Sequence, residues 1–202
     1  MKLFFTPTSP YARKVCVLLI EKGLHDSIEF IPVDFEKPLT ALVHENPLGK
    51  VPTLIRQDGK ALFDSPIVCE YLDSLGTGPN LYPSGEARWT ALRQLAIADG
   101  SIDALSLRRQ ELRRPEDLRS SHQIELQKMK SDRGLTTLED EVSHLAGPIT
   151  IGHIAVGCCL GYLDFRFAQE PWRKEHPKLA LWFEEFEKRP SMLETNPSRS
   201  QK

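Results

Sequence analysis

Residues 46–54 read NPLGKVPTL. Val51-Pro52 stands between a turn and an extended run, and a proline there cannot donate to a sheet ladder. It therefore belongs where a strand begins. Were the Val51–Pro52 bond cis, the chain would bend sharply and present the N–H and C=O of Val51 to an extended ligand. The pattern alone leaves the isomer open.

Outward from this stretch, short strands alternate with helices. Residues 53–56 and 61–63 read as strands around Gln57-Asp58-Gly59-Lys60, a hairpin turn centred on Asp-Gly. Ser65 then caps a helix over 66–75. Upstream, 2–5 reads as a strand and 10–23 as a helix, with Ser9 as N-cap, Pro10 in the first helical position and Gly23 at the stop. Residues 28–33 read as a second strand and 40–45 as a short helix. The order is βαβαββα, a mixed sheet covered by helices.

Residues 76–86, GTGPNLYPSGE, are rich in Gly and Pro and read as a linker. Beyond them helical spacing takes over. Leu92, Leu95, Ala96 and Ile102 mark one helix face, and Leu135, Leu138, Val142 and Leu145 mark another. Residues 149–163 are apolar nearly all round, which places that helix in the middle of a domain. Residues 178–190 form a last amphipathic helix stopped near Pro190, and the tail from 195 is expected to be loose. The fold class is α/β plus all-α: a first domain over 1–76, a linker over 77–86 and an all-helical domain over 87–202.

Bulk properties narrow the function. A formal net charge of −2 argues against nucleic acid or an acidic membrane as the main partner. No apolar run reaches the ~18 residues of a membrane span, and the N-terminus lacks a signal-type apolar segment. The cysteines, Cys16, Cys69, Cys158 and Cys159, form neither a C-x-x-C pair nor a zinc spacing. Adjacent Cys158 and Cys159 read as small buried thiols, and a reducing cytoplasm is the expected compartment.

Two further stretches carry chemistry. TSPYARKV (8–15) places hydroxyls at a helix N-terminus, where unpaired N–H groups favour an anion by about 0.3–1 kcal/mol at an exposed site. FDSPIVCEYL (63–72) sets Asp64 and Ser65 before another helix. A carboxylate and a hydroxyl beside free N–H groups suit a zwitterion: Asp64 for its ammonium, Ser65 and the helix end for its carboxylate. Taken singly, each stretch reads most simply as a helix cap.

Together, TSPYARKV, NPLGKVPTL and FDSPIVCEYL, within a βαβαββα unit followed by helices, resemble the cytosolic glutathione S-transferase superfamily. Within it the chain is similar to the small bacterial YibF-like subgroup, which shares the pattern of Ala98-Asp99-Gly100 and Asp103-Ala104. The resemblance covers essentially the whole chain. It implies a thioredoxin-like first domain, glutathione as co-substrate without a metal, a small-molecule electrophile and a homodimer. By the same resemblance, Val51 beside cis-Pro52 pairs with the cysteinyl part of glutathione. Asp64 and Ser65 hold the γ-glutamyl end, Lys50 lies near the glycyl or backbone end, and Ser9 faces the sulfur as the catalytic hydroxyl.

Other hydroxyls and thiols compete for that role. The first strand ends in Phe4, Phe5 and Thr6, so the tyrosine of tyrosine-type transferases has no counterpart, and Tyr11 lies inside the helix. Cys16 is two turns from Ser9, which argues against thiol–disulfide exchange. Thr8 is the rival to Ser9. Asp99 and Asp103 fall on the stripe of Leu92 and Ala96, where either an internal ion pair or a ligand ammonium would explain them. The stretch LRRQELRRPEDLR (107–119), with five Arg and three acids, reads as a solvated helix end, a carboxylate-guiding role being the alternative. One departure from the superfamily concerns Thr150, which has His153 three residues later where an Asp is usual. A protonated histidine cannot accept in a capping box, which puts that helix's stability in doubt. The leading function is a glutathione transferase; a non-catalytic interaction or regulatory protein and a glutathione-dependent peroxidase are the alternatives.

Overall fold

The computed structural model describes residues 1–198. Two compact units divide the chain: Met1–Tyr82 together with the segment from Pro190 onward, and Pro83–Arg189.

In the first unit, β1 (Lys2–Phe5), α1 (Pro10–Glu21), β2 (Glu29–Pro32), α2 (Thr40–Glu45), β3 (Thr53–Ile55), β4 (Ala61–Phe63) and α3 (Ser65–Leu75) follow the expected βαβαββα order. The sheet order is β2-β1-β3-β4, with β1 parallel to β2 and antiparallel to β3, and β3 antiparallel to β4. Successive residues Leu3 and Phe4 are both buried, as are Thr53 and Leu54. Consecutive strand side chains point to opposite faces, so both faces of this sheet are covered. The Val51–Pro52 bond is cis.

α1 begins as its sequence dictates. Ser9 is the N-cap in an extended conformation, its Oγ accepts from Ala12 N at 3.3 Å, and Pro10 occupies the first helical position. α3 differs by one residue from the expectation. Asp64, not Ser65, is the N-cap, and Ser65 is already helical.

A buried ion pair ties the far ends of α1 and α3. Lys22 Nζ lies 2.9 Å from an Asp73 oxygen, with both side chains almost wholly buried. The same carboxylate accepts from Leu81 N at 3.1 Å and Tyr82 N at 3.3 Å, and Lys22 also donates to Pro79 O at 2.9 Å. Thus much of the expected linker is packed on the first unit.

The second unit holds α4 (Glu86–Leu112), α5 (Ser121–Asp140), α6 (Ile151–Arg166), α7 (Trp172–Glu175) and α8 (Pro177–Phe186). α6 is buried from Ile151 through Leu160, with α4 and α8 packed against it. A Cβ on Gly152 would fall 2.8 Å from Ala91 O, so only glycine lets α6 approach α4 this closely. Glu139 of α5 caps α8, accepting from Lys178 N at 3.2 Å and Leu179 N at 2.7 Å.

Three expectations for the helices change. The stripe through Leu135, Leu138, Val142 and Leu145 is not one helix: α5 ends at Asp140, and Val142–Leu145 is a 3-10 turn. Pro190 opens a helix rather than ending one. α8 stops at Phe186, and α9 (Pro190–Glu194) returns to the first unit instead of completing a helical domain over 87–202. There Arg13 Nη2 donates to Met192 O at 3.0 Å and Arg13 Nε to Thr195 Oγ1 at 3.3 Å, so the tail is anchored at Thr195. The part of the expected loose tail beyond 198 lies outside the described residues.

His153 does complete the capping box. Thr150 N donates to its Nδ1 at 3.2 Å, and the Thr150 hydroxyl lies 2.7 Å from the same nitrogen. That nitrogen must be unprotonated to accept, so the ring is neutral. Burial, the largest cause, holds His153 below the usual imidazole range; the Leu145 carbonyl pulls the other way, and the Arg189 charge lowers it further.

A histidine with a depressed folded pKa contributes stability that is complete above its unfolded pKa of about 6.5. That stability is lost as pH falls toward the folded value. The wild-type stability should therefore decline below about pH 6.5, with a slope contribution of at most ~1.4 kcal/mol per pH unit from this one proton. His153→Asn, which can still accept from Thr150 N, should remove that contribution. Urea unfolding of both proteins between pH 5 and 8 checks it, and parallel pH profiles would show the cap to be insensitive to protonation.

Candidate functional site

The register of three strands gathers the singled-out segments of the first unit. Phe4 pairs with Thr53, and Thr53 with Phe63. These residues form one row across β1, β3 and β4. Just beyond Phe4 and Phe5 comes the turn into Ser9, just before Thr53 comes Val51-Pro52, and just after Phe63 come Asp64 and Ser65. All three segments leave the sheet at the same end. Neighbouring strands are ~4.8 Å apart, so the outer two segments stand about 10 Å from each other, the length of roughly three extended residues.

Each segment exposes donors or acceptors there. The turn Thr6–Ser9 is closed by Ser9 N donating to Thr6 O at 3.1 Å. Ser9 Oγ is an acceptor toward Ala12 N, which leaves its O–H free to donate outward. Val51 is half-buried and Pro52 buried. Asp64 is exposed and makes no capping bond with its side chain, and its φ of +68° is rare for a residue with a Cβ. Backbone held in so sparsely populated a region costs on the order of 1–3 kcal/mol and concentrates at ligand sites. Ser65 is 1% exposed, and its Oγ has no hydrogen-bond partner among the described residues. The N-termini of α1 and α3 both open at this end, adding two partial positive charges.

Lys50 sits beside this group differently from the others. Its side chain is exposed, while its carbonyl is an internal acceptor, taking bonds from Asn46 Nδ2 at 3.1 Å and Thr53 Oγ1 at 2.8 Å. Asp99 and Asp103 are in the second unit. Ala96 and Asp103 are exposed and Asp99 half-exposed, so this stripe is the outer flank of α4; the buried stripe runs through Ala91, Leu95, Ala98 and Ile102.

A family model matches within each of the two units. That of the "Glutathione S-transferase, N-terminal domain" matches residues 8–75 and that of the "Glutathione S-transferase, C-terminal domain" residues 121–185. The chain belongs to the glutathione S-transferase family. It is 34% identical to the uncharacterized GST-like protein YibF of Escherichia coli K12, over 99% of this chain and all of that one. Two crystal structures of a glutathione transferase family member from Pseudomonas fluorescens Pf-5 are 42% identical. One, with bound glutathione, superposes with a TM-score of 0.93 over 97% of this chain and 98% of that chain. The other, with bound S-(propanoic acid)-glutathione, has a TM-score of 0.90 over 98% and 99%. The four-stranded mixed sheet and the helical second unit are this family's fold.

In this transferase-family chain, one residue important to the site escaped the sequence reading. Asn46 is buried and spends its whole amide on the loop. Nδ2 donates to Lys50 O and to Thr53 Oγ1 at 3.0 Å, while Oδ1 accepts from Leu48 N at 3.0 Å. The last bond is an Asx-turn, and Asn before Pro was its signal. Asn46 thereby fixes the segment that ends in Val51-Pro52.

Asn46→Ala should cost about 1–3 kcal/mol, since it takes the acceptor from Leu48 N and one of the two donors from the Lys50 carbonyl, which keeps only Thr53 Oγ1. Asn46→Asp should cost at least as much, because it keeps the acceptor toward Leu48 N but sets a buried carboxylate oxygen against the Lys50 carbonyl. Urea denaturation orders the two, and a clearly smaller loss for Asn46→Asp would show that the acceptor bond to Leu48 N dominates.

Proposed function

We propose that this protein is a glutathione transferase that binds glutathione across the sheet end described above and stabilises its thiolate with Ser9. Family membership and the relative crystallised with glutathione support the ligand. The observation that carries the reading is the buried Ser65 Oγ, which has no partner among the described residues, at the start of α3 and next to Asp64, whose carboxylate the helix does not use. A donor left unpaired at a helix N-terminus fits the α-carboxylate of a γ-glutamyl group, and Asp64 fits its ammonium. Val51, beside a proline without an N–H, offers backbone to the cysteinyl residue, and Lys50 supplies a cation near the glycyl end.

The chemistry asks little of the protein. A thiol of pKa about 8.5 is only a few per cent ionised at pH 7. Lowering that pKa by about two units takes roughly 2.7 kcal/mol of preferential stabilisation of the anion. One hydroxyl hydrogen bond to a charged group gives about 1.5–3 kcal/mol, and a helix N-terminus adds about 0.3–1. The thiol proton passes to solvent. The sulfur lone pair then forms an S–C bond with a small electrophile, whose leaving group departs with the bonding pair, or whose activated double bond takes a proton. The relative bound to S-(propanoic acid)-glutathione, an S-alkylated glutathione, is consistent with such a product.

The proposal includes a homodimer, as the family resemblance implies, and sedimentation should give twice the chain mass. Ser9→Ala should raise the thiol pKa of bound glutathione by about one to two units and lower conjugation at pH 7 about 10–100-fold, with glutathione affinity little changed. Thr8→Val should leave both near wild type. Ultraviolet titration of the bound thiolate and steady-state rates check this. A normal thiolate in Ser9→Ala with a lost one in Thr8→Val would move the role to Thr8.

A further inference from the structure

The arginines closing α4 and α6 fall into two groups. Arg108 forks onto Glu170 at 3.1 and 2.5 Å, and Arg114 reaches both oxygens of Glu111 at 3.0 and 3.2 Å. Arg109, Arg113 and Arg166 have no such acid among the described residues. Arg109 and Arg113 are four residues apart at the end of α4 and share a face. Arg166 ends α6, which packs along α4. The groups acting on Arg166 are mainly other cations. Burial first, and then the Arg109 charge, hold it below the usual arginine value, Arg113 adds to this, and Tyr162 alone opposes them.

Two details of Arg166 bear on what this end of the helices could bind. Arg166 Nε is shut off from solvent and has no hydrogen-bond partner among the described residues. Its guanidinium lies 4.0 Å from the ring centroid of Phe165, and Tyr162 is the neighbour that favours its charged form. Like charges at the ends of two packed helices disfavour one another, and an anion between them reverses the sign. Planar forks favour a carboxylate, and aromatic rings favour an apolar body attached to it.

We propose that Arg109, Arg113 and Arg166 form a binding site for a small carboxylate carried on an aromatic or apolar body. The ligand's carboxylate takes donors from at least two guanidinium groups, and its body lies against Phe165 and Tyr162. The contact is charge-assisted, so it weakens as salt rises.

Calorimetric titration of the full chain with benzoate, benzamide and inorganic phosphate tests this. Benzoate should bind at low salt, with benzamide at least about tenfold weaker. Arg166→Gln and Arg109→Gln should each weaken benzoate about tenfold, and Arg109→Lys should do so less, because it keeps the charge but loses the fork. Arg113 is exposed and Arg109 half-exposed, so Arg113→Gln and Arg109→Gln carry the test if Arg166→Gln fails to fold. Equal binding of benzamide, unchanged benzoate binding in the variants, or tighter binding of phosphate than of benzoate would each overturn the assignment.

Discussion

The candidate site hangs from the position of Thr53 between Phe4 and Phe63. Thr53 is fully buried, and its hydroxyl is used twice, donating to Lys50 O and accepting from Asn46 Nδ2. Those bonds exist only if Thr53 faces the loop that precedes it. A slip of one residue would turn Leu54 into that polar pocket and Thr53 to the opposite face of the sheet. The three segments that leave the sheet beside this row would then no longer be aligned. Register here is thus set by a polar constraint as well as by the hydrophobic pattern.

The helices need a second constraint, because a strand end fixes only where a helix begins. The Lys22–Asp73 pair fixes the far ends of α1 and α3. Burying two charges costs several kcal/mol per ion, which this pair offsets by filling its remaining valences with the backbone of residues 79–82. Tyr82 then turns back, its hydroxyl donating to Pro66 O at 2.9 Å near the start of α3. One chain segment therefore grips α3 at both ends, and the N-termini of α1 and α3 are held where β1 and β4 deliver them.

Much of this was legible in the sequence, because local rules and tertiary packing agree there. The Ser9-Pro10 entry, the Asp58-Gly59 turn and the βαβαββα order rest on short-range chemistry that the fold did not override. The misreadings share a cause. Apolar spacing through Val142 and Leu145 continues the pattern of α5, but the backbone tightens into a 3-10 turn that a count of spacings cannot detect. Pro190 fits the end of one helix as well as the start of the next, and only the contacts of Arg13 with Met192 and Thr195 decide between them. Asn46 was hidden for another reason: its partners are a carbonyl and a hydroxyl brought near by a loop closure.

The two Ser-Pro entries look alike in sequence and differ by one residue in the fold. Ser9 lies outside its helix as the N-cap, so its oxygen accepts from Ala12 N and only its proton is left to give. Ser65 lies inside its helix as the first residue, because Asp64 with its φ of +68° has taken the capping position. From there its hydroxyl cannot reach the N–H groups that an N-cap serves. Its own N–H is also one of the helix's unpaired donors. Ser9 thus offers one donor of fixed direction, which suits a single anionic atom. Ser65 offers two adjacent donors, which suits a two-oxygen group. The unusual backbone of Asp64 is what separates these two hydrogen-bonding arrangements of the same dipeptide.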